Sequence, residues 1–366
     1  MVAPDPQVGI SRSHVGHRTV TLVPPRAAYD EYPEFVRARA PASSANLGPG
    51  FDTLAVALDQ YVEVEVEKAS KLIVRSVGEG AGMTDDDPSH LAARVAIDVA
   101  GTDRLAITVR SEIPIGRGLG SSAALAAAAA AAAGSKDPLA VAAYMDGHPD
   151  NAAASVVGGL VAAAMVKGAV RVVRLTLDVS LVFVVIVPDL VLSTSKARLA
   201  LPNEVTRENA AFNLSRLALL IAGLADSRVL LKEATEDRLH QDFRSPLFPA
   251  APILLSRLSA GGALATCWSG AGPSLLGICR GADGAKVQQA AKEAMADTEV
   301  PGKVLLLGPD MHGLIVDRDG TDDFWRDRQP SWSAGGGGVE AGSGGDPVAA
   351  PKSPRGSRLF DFDGDS

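Results

Sequence analysis

Short runs in which apolar and polar residues alternate predict β-strands along the chain. The pattern is present in Phe35 to Ala40, Tyr61 to Glu67, Lys71 to Val77 and Leu105 to Val109. Alternate side chains of a strand point to opposite faces, so these runs suit a sheet with one buried face. The continuous apolar run Leu181 to Val187 predicts a buried strand instead.

Helices are predicted where apolar residues recur at helical spacing or where alanine dominates. Ala123 to Ala133 is almost pure alanine, the best helix former, and Gly134 ends it. Further helices are predicted at His90 to Ala100, Asp137 to Met145, Asn209 to Ala225 and Gly284 to Met295. A hairpin is predicted at Gly158 to Val166 and Ala169 to Leu175, and strands at Ala260 to Trp268, Val304 to Leu307 and Gly313 to Val316. This order of strands and helices indicates an α+β fold.

Both ends of the chain lack these patterns. Residues 1–33 carry five prolines and no periodicity, which predicts a disordered leader. Residues 326–366 are rich in Gly, Ser, Ala and Pro, which predicts a flexible tail. At 366 residues the chain is long enough for two domains, or for one large domain with a tail.

Composition narrows the classes of protein to consider. The formal net charge of −8 argues against a general nucleic-acid binder, because affinity for a phosphate backbone needs clustered Lys and Arg. The N-terminus lacks the apolar core of a signal peptide, and no apolar run approaches the ~18 residues of a membrane span. Cys267 and Cys279 fit neither a disulfide framework nor a zinc pattern, so we expect free thiols in a reducing cytoplasm.

A glycine-rich segment joins the strand that ends near Val109 to the alanine helix. Its residues are Pro114, Ile115, Gly116, Arg117, Gly118, Leu119, Gly120, Ser121, Ser122, Ala123 and Ala124. Glycines let the backbone approach a ligand closely, and the free N–H groups of a first helical turn attract anions. The alternative is a plain helix cap, because serine is a common N-cap residue. The segment lacks the spacing of the common P-loop and of dinucleotide-binding loops, so both interpretations stay open on these residues alone.

The run Ile-Pro-Ile-Gly-Arg-Gly-Leu-Gly-Ser-Ser-Ala-Ala from Ile113 resembles the phosphate-loop motif of the GHMP kinases, in the form typical of homoserine kinases. Segments similar to that family also occur at residues 41–52, 146–153, 193–202, 237–247 and 269–276. The resemblance implies the GHMP kinase α+β fold. In that fold an N-terminal ATP-binding domain related to ribosomal protein S5 domain 2, here expected at residues 34–180, precedes a ferredoxin-like C-terminal domain, expected at residues 181–325. The active site lies between them.

The resemblance also implies ATP-dependent phosphorylation of L-homoserine to O-phospho-L-homoserine, on the way to threonine. Residues 114–124 would hold ATP, and Ser122 and Asp146 would hold Mg²⁺. Homoserine would contact Asn46, Asp52, His148, Asp150, Arg198 and Arg244, and the catalytic set would be Asn46, Asp150, Asn151 and Thr194. Two arginine forks suit a carboxylate, and a carboxylate suits an ammonium group. Expected partners are these two small molecules, not nucleic acid or a membrane, and family members make a homodimer plausible.

Some positions depart from the family pattern. Asp146 stands where the family usually has glutamate, so the oxygen donor is kept on a side chain one methylene shorter. His90 stands where asparagine is common near the adenine pocket. Taken alone, residues 146–153 form a loop with a chance histidine.

Three alternative functions remain open. A different GHMP kinase, acting on mevalonate or a sugar, would share the phosphate loop but should lack the paired arginines. A non-catalytic relative that senses a nucleotide or an amino acid is supported only by the change to Asp146. The arginines argue against a nucleotide-binding module with an unrelated substrate.

Overall fold

The computed structural model describes residues 35–82 and 87–318. The predicted leader, residues 1–33, and the predicted tail, residues 326–366, lie outside the described residues. The strands are β1 Phe35–Asn46, β2 Gly50–Lys68, β3 Ile73–Gly78, β4 Leu105–Ser111, β5 Leu160–Val166, β6 Ala169–Leu175, β7 Leu181–Pro188, β8 Ala265–Trp268, β9 Leu275–Arg280, β10 Gly302–Leu307 and β11 Ile315–Asp317. The helices are α1 Leu91–Ala100, α2 Ser121–Ala132, α3 Pro138–Asp146, α4 Pro149–Val157, α5 Thr194–Leu199, α6 Arg207–Ala225, α7 Gln241–Arg244, α8 Ala251–Gly261 and α9 Gly284–Asp297.

The first sheet has the strand order β11-β1-β2-β4-β3, with β5 on the first half of β2 and β6 outside β5. Only β3 and β4 run parallel among the pairs in this sheet's described strands. Helix α2 packs on β1 and β2 and touches α1, α3 and α4. Its alanines are almost all buried, and a helix that is apolar on every side belongs inside a protein.

The second sheet has the order β10-β7-β9-β8, and its neighbouring strands all run antiparallel. Helices α8 and α9 pack against it. In chain order β7, α8, β8, β9, α9 and β10 form the split βαβ arrangement of ferredoxin-like folds, which agrees with the sequence-based expectation.

One hydrophobic core extends from the first sheet into the second. It includes Val64 and Ala127 of the first sheet and its helices together with Phe183 and Ile278 of the second sheet. Because this apolar packing is continuous, it fixes the position of the second sheet relative to the first. No helix within the described ranges is both long and apolar enough to cross a bilayer.

Several local predictions were wrong. Residues 146–153, taken alone as a loop, contain the start of α4, and Pro149 in its first turn is a typical helix-start residue. The strand predicted from Ala260 begins only at Ala265, because α8 extends to Gly261. Strand β1 continues through Pro41, where a register shift accommodates the proline.

The last strand of the described residues, β11, returns to the first sheet. In β11, Ile315–Asp317 pairs antiparallel with Arg37 to Arg39 of β1, after the chain has completed the second sheet. The division of the folded part at residues 180 and 181 stays a prediction.

Candidate active site

The segments selected in the sequence converge on one cleft between the two sheets, with an empty volume of about 670 Å³. Residues from the sequence-based set that line it are Asn46, Asp52, Pro114, Gly116, Arg117, Gly118, Leu119, Gly120, Ser121, Ser122, Asp146, His148, Asp150, Asn151, Thr194, Arg198 and Arg244. Ala45, Gly270 and Ala271 complete the lining. Residues far apart in the chain therefore share one site.

The glycine-rich segment enters helix α2 through left-handed backbone. Gly116, Gly118 and Gly120 have φ values of 66°, 79° and 67°, and Gly120 is the N-cap residue of α2. No side chain bonds the first turn of this helix at its cap, so its N–H groups remain directed at the cleft. The positive end of a 12-residue helix dipole adds to the attraction for an anion.

Two of these glycines are also fixed by close packing. A Cβ at Gly118 would collide with the Ser269 carbonyl, and one at Gly120 would collide with the Ser43 hydroxyl. Ser269 Oγ donates its one hydrogen to the Gly118 carbonyl at 2.7 Å and accepts from the Ser44 hydroxyl, whose Oγ is 2.8 Å away. The turn after β8 thus locks the glycine-rich segment against β1.

Three residues predicted to bind ATP lie off the cleft. Ala123 and Ala124 are fully buried in the core beneath the loop. Ile115 lines a neighbouring pocket with Ser121 and His90. His90 is the N-cap of α1, where Nδ1 accepts from the Ala92 N–H at 3.1 Å. This second pocket opens beside the first turn of α2, where a base could sit if its phosphates occupy the main cleft.

Ser122 and Asp146 form a paired oxygen site. Burial raises the pKa of the Asp146 carboxyl, and the neighbouring Ser122 hydroxyl opposes that rise. Hard oxygen ligands of this kind fit Mg²⁺, which usually keeps waters and binds substrate phosphates beside one or two protein groups. Among the described residues no group of three or more His, Cys, Asp or Glu side chains is arranged to hold a metal. The two residues therefore fit a partial coordination shell.

Asp150 is a nearly fully buried carboxyl in the first turn of α4, with 2% of its surface exposed. Its Oδ1 accepts the Asn151 N–H at 2.7 Å. Burial raises the pKa of Asp150 to about 7, and the nearby Asp52 and Asp146 carboxylates add to the rise. The Asn151 side chain is held by Ser43, whose hydroxyl donates to its Oδ1 at 2.9 Å.

The turn between β1 and β2 and the strand ends beside it carry unusual backbone. Asn46, Leu47 and Asp52 have φ values of 69°, 48° and 53°, and left-handed non-glycine residues tend to cluster at functional sites. Asn46 Oδ1 accepts the Asp52 N–H at 3.0 Å, and its Nδ2 donates to the Gly270 carbonyl at 2.9 Å. Asn46 therefore shapes this end of the cleft, with one amide hydrogen left over.

Arg198 and Arg244 approach the same end from the second part of the chain. Arg198 Nη2 and Asp52 Oδ1 form an ion pair at 2.5 Å. Both guanidinium groups lie over the Phe51 ring, at 5.4 Å and 5.7 Å from its centroid. The Nε atoms of both arginines, like Arg117 Nη1 in the glycine-rich segment, are buried without a hydrogen-bond partner. Unpaired cationic donors of this kind favour a bound anion.

Two predicted residues lie at the edge of this arrangement. His148 directly precedes α4, and its positive field would lower the pKa of Asp146. Thr194 is exposed at the start of α5, on the same short helix that carries Arg198.

The sequence analysis missed two contributors. Phe51 stacks on His240, with ring centroids 5.3 Å apart, and supports both arginines. His240 itself is fully buried and contacts Arg244. The only signal for His240 was its place in the segment that also supplies Arg244.

Two family models match the chain. The model of the GHMP kinases N terminal domain matches residues 89–159, and the GHMP kinases C terminal model matches residues 211–297. The first range contains the glycine-rich segment and the start of α4. The second contains Arg244 and the turn after β8.

Curated relatives cover most of the chain. It is 38% identical over 292 residues to a homoserine kinase from Moorella thermoacetica, which covers 76% of this chain and 98% of that protein. It is 42% identical to a homoserine kinase from Streptomyces avermitilis, over 71% of this chain and 91% of the relative. A solved homoserine kinase from Cytophaga hutchinsonii superposes with a TM-score of 0.69 at 26% identity, covering 78% of this chain and 98% of that one.

Proposed function

The chain belongs to the homoserine kinases of the GHMP kinase family, and from that premise we propose that it transfers a phosphoryl group from ATP to the side-chain hydroxyl of L-homoserine. The products are O-phospho-L-homoserine and ADP, in threonine biosynthesis. The α+β GHMP kinase fold expected from the sequence is confirmed. The choice of L-homoserine rests on one observation: two arginines, Arg198 and Arg244, line the same cleft as the glycine-rich segment.

The substrate carboxylate binds between Arg198 and Arg244. Each has a buried Nε with no partner in the cleft, and two guanidinium forks match a carboxylate better than an uncharged sugar or alcohol. The ammonium group of homoserine pairs with Asp52, which forms an ion pair with Arg198 in the ligand-free structure. The Arg198–Asp52 pair is then replaced by two pairs with the substrate, one from each charged group of the amino acid. Asn46 and His148 border the same space.

The phosphates of ATP lie at the first turn of α2. N–H groups of Gly118 to Ser122 face the cleft there, and Arg117 supplies a further unpaired donor. The adenine base would occupy the neighbouring pocket lined by Ile115 and His90. Ala123 and Ala124, being fully buried, support the loop through packing rather than contact with the nucleotide.

Ser122 and Asp146 would hold Mg²⁺. When bound, Mg²⁺ supplies positive charge that offsets charge developing on the phosphate oxygens. Aspartate in place of the more usual glutamate keeps the hard oxygen donor, so the change does not by itself indicate a non-catalytic protein.

Asp150, Asn151 and Thr194 surround the reacting hydroxyl. Phosphoryl transfer depends mainly on alignment, and these side chains come from two helices on opposite sides of the cleft. With a pKa of about 7, Asp150 can take up or release a proton near neutrality. If Asp150 acts as a base, Asp150→Asn should lower kcat and remove the rise of activity with pH. If Asp150 instead binds the ammonium group, the variant should chiefly raise the KM for homoserine.

Two further parts of the proposal concern the cell and the assembly. The buried free thiols Cys267 and Cys279 fit a reducing compartment, which supports a cytoplasmic location. A homodimer stays a prediction.

An ADP-release assay tests the function directly. The purified chain with magnesium and ATP is given L-homoserine, mevalonate, galactose or no acceptor. We expect turnover with L-homoserine alone, strongly reduced in Arg198→Ala and Arg244→Ala. Arg94→Ala, at an exposed position of α1, serves as the matched control and should behave as the parent. Turnover with mevalonate or galactose in place of homoserine would overturn the proposal.

A further inference from the structure

A buried polar cluster lies beneath the substrate end of the cleft. Asp237, His240 and Arg244 are exposed by only 7%, 0% and 1% of their surfaces. Asp237 holds the backbone of the cluster, because its Oδ1 accepts the Leu239 and His240 N–H groups at 2.6 Å and 2.7 Å. None of the functions described so far uses the His240 ring.

Both nitrogens of the His240 ring have partners. Nε2 lies 2.8 Å from the Gly48 carbonyl, and Nδ1 lies 3.0 Å from Arg244 Nη1. A carbonyl oxygen only accepts, so Nε2 must carry the proton. A guanidinium only donates, so Nδ1 must be bare. The two contacts together define one neutral tautomer of His240.

The surroundings of the ring favour this neutral state. Burial lowers the pKa of His240 to about 4, and the positive charge of Arg244 acts in the same direction. The negative charge of Asp237, whose Oδ2 lies 3.6 Å from Nε2, opposes this lowering of the pKa. Asp52, near the start of β2, opposes it more weakly. Phe51 covers a face of the ring. A second proton, on Nδ1, would point at the N–H of Arg244 Nη1 and break the hydrogen bond between these two nitrogens.

The same contacts fix one arm of Arg244. Nη1 donates to His240 Nδ1 and to the Gly270 carbonyl, each at 3.0 Å, so both hydrogens of that nitrogen are used. Nε remains buried without a partner. Gly48 belongs to the turn that carries Asp52, so His240 joins the carboxylate-binding and ammonium-binding sides of the site.

We propose that His240, through its Nε2-protonated neutral tautomer, is a positioning residue that aims Arg244 at the substrate carboxylate and couples it to the Gly48 turn. The inference rests on the proposed function, because it assigns the carboxylate of that substrate to Arg244. His240 touches no substrate itself. Its effect is exerted through the orientation of the guanidinium.

Two substitutions separate the two ring contacts. In His240→Asn the amide oxygen can take the position that Nδ1 has in the parent and accept a hydrogen bond from Arg244. In His240→Gln the amide nitrogen can reach toward the Gly48 carbonyl, but no acceptor faces Arg244. We expect His240→Gln to raise the KM for homoserine by about tenfold or more, as for a lost charged hydrogen bond, with the KM for ATP within about twofold. His240→Asn should show the smaller increase.

A substrate without the carboxylate provides the decisive comparison. The decarboxylated analogue 3-aminopropan-1-ol keeps the ammonium and hydroxyl groups, so its kcat/KM should be nearly equal in the parent and in His240→Gln. An equal loss on both substrates would mean a merely structural role and would overturn the proposal. An unchanged KM for homoserine in His240→Gln would overturn it as well.

The tautomer can be measured without any variant. In ¹⁵N NMR of the full chain at pH 7, the His240 ring should be neutral with its proton on Nε2. A cationic ring or a proton on Nδ1 would contradict the geometry. If the parent fails to phosphorylate homoserine, the proposed function fails, while this spectrum still decides the hydrogen bonds of His240.

Discussion

Replacing Asp150 with asparagine should make the ligand-free protein more stable, at a cost in activity. The carboxyl is buried, and desolvation together with the Asp52 and Asp146 charges raises its pKa from 3.8 to about 7. Asparagine has nearly the same shape and can still accept the Asn151 N–H, but it never ionises. The variant therefore removes a buried negative charge while keeping the local hydrogen bond.

The size of the effect follows from linkage between protonation and folding. The folded protein holds the Asp150 proton more tightly than the unfolded chain, so this carboxyl supports folding fully below pH 3.8 and loses that support as the pH rises through about 7. The whole loss corresponds to about 4 kcal/mol. Between pH 5 and pH 8, the advantage of Asp150→Asn should grow by about 2–3 kcal/mol.

Thermal unfolding at a series of pH values measures this advantage. For a folded part of this size, the growth corresponds to a rise in the Tm difference of about 3–5 °C between pH 5 and pH 8. Asp98→Asn on the exposed side of α1 controls for the chemical change itself. A Tm difference that stays flat with pH, or a variant less stable than the parent at pH 8, would refute the reasoning.

Substitutions at Gly118, Asp146 and Arg198 test separate parts of the site. Gly118→Ala should abolish turnover because its Cβ would meet the Ser269 carbonyl, whereas Gly168→Ala, also left-handed but with open space around it, should cost only stability in a melting experiment. Asp146→Ala should raise the magnesium concentration needed for half-maximal activity by about tenfold or more, while Asp146→Glu should keep near-parent activity; equal loss in both would remove Asp146 from the metal site. Arg198→Lys should raise the KM for homoserine about tenfold without changing nucleotide binding measured by calorimetry, because lysine cannot form the two-pronged contact; an unchanged KM would exclude Arg198 from the carboxylate site.

Local sequence patterns predicted the parts of the fold that depend on neighbouring residues. The alanine run predicted α2 because helix propensity and the glycines before it act over a few residues. Helix α4 was missed although Pro149 and Asp150 are ordinary residues for a first turn, because its nine residues are too few to show a clear helical period and lie between Gly147 and Gly158. The extension of β1 beyond Pro41 depends on pairing with β2, which no local pattern shows.

Most residues that line the cleft were selected from the sequence, but their geometry was not predictable. Similarity to a family selected Asp52 and Arg198, but their ion pair joins residues 146 positions apart and needs the tertiary structure. The role of His240 was likewise invisible, because it depends on a backbone carbonyl 192 positions away. Burial of Ala123 and Ala124 follows from how α2 packs on the first sheet, which the loop motif does not specify.

The proposed function requires that this chain move a phosphoryl group from ATP to the hydroxyl of L-homoserine. ³¹P NMR of the purified protein with ATP, magnesium and L-homoserine follows that group itself. We predict that a phosphomonoester signal assigned to O-phospho-L-homoserine grows as the γ-phosphate signal of ATP declines, in equal amounts. Loss of the γ-phosphate signal into inorganic phosphate alone, or an unchanged ATP spectrum while the protein binds both ligands, would contradict the claim.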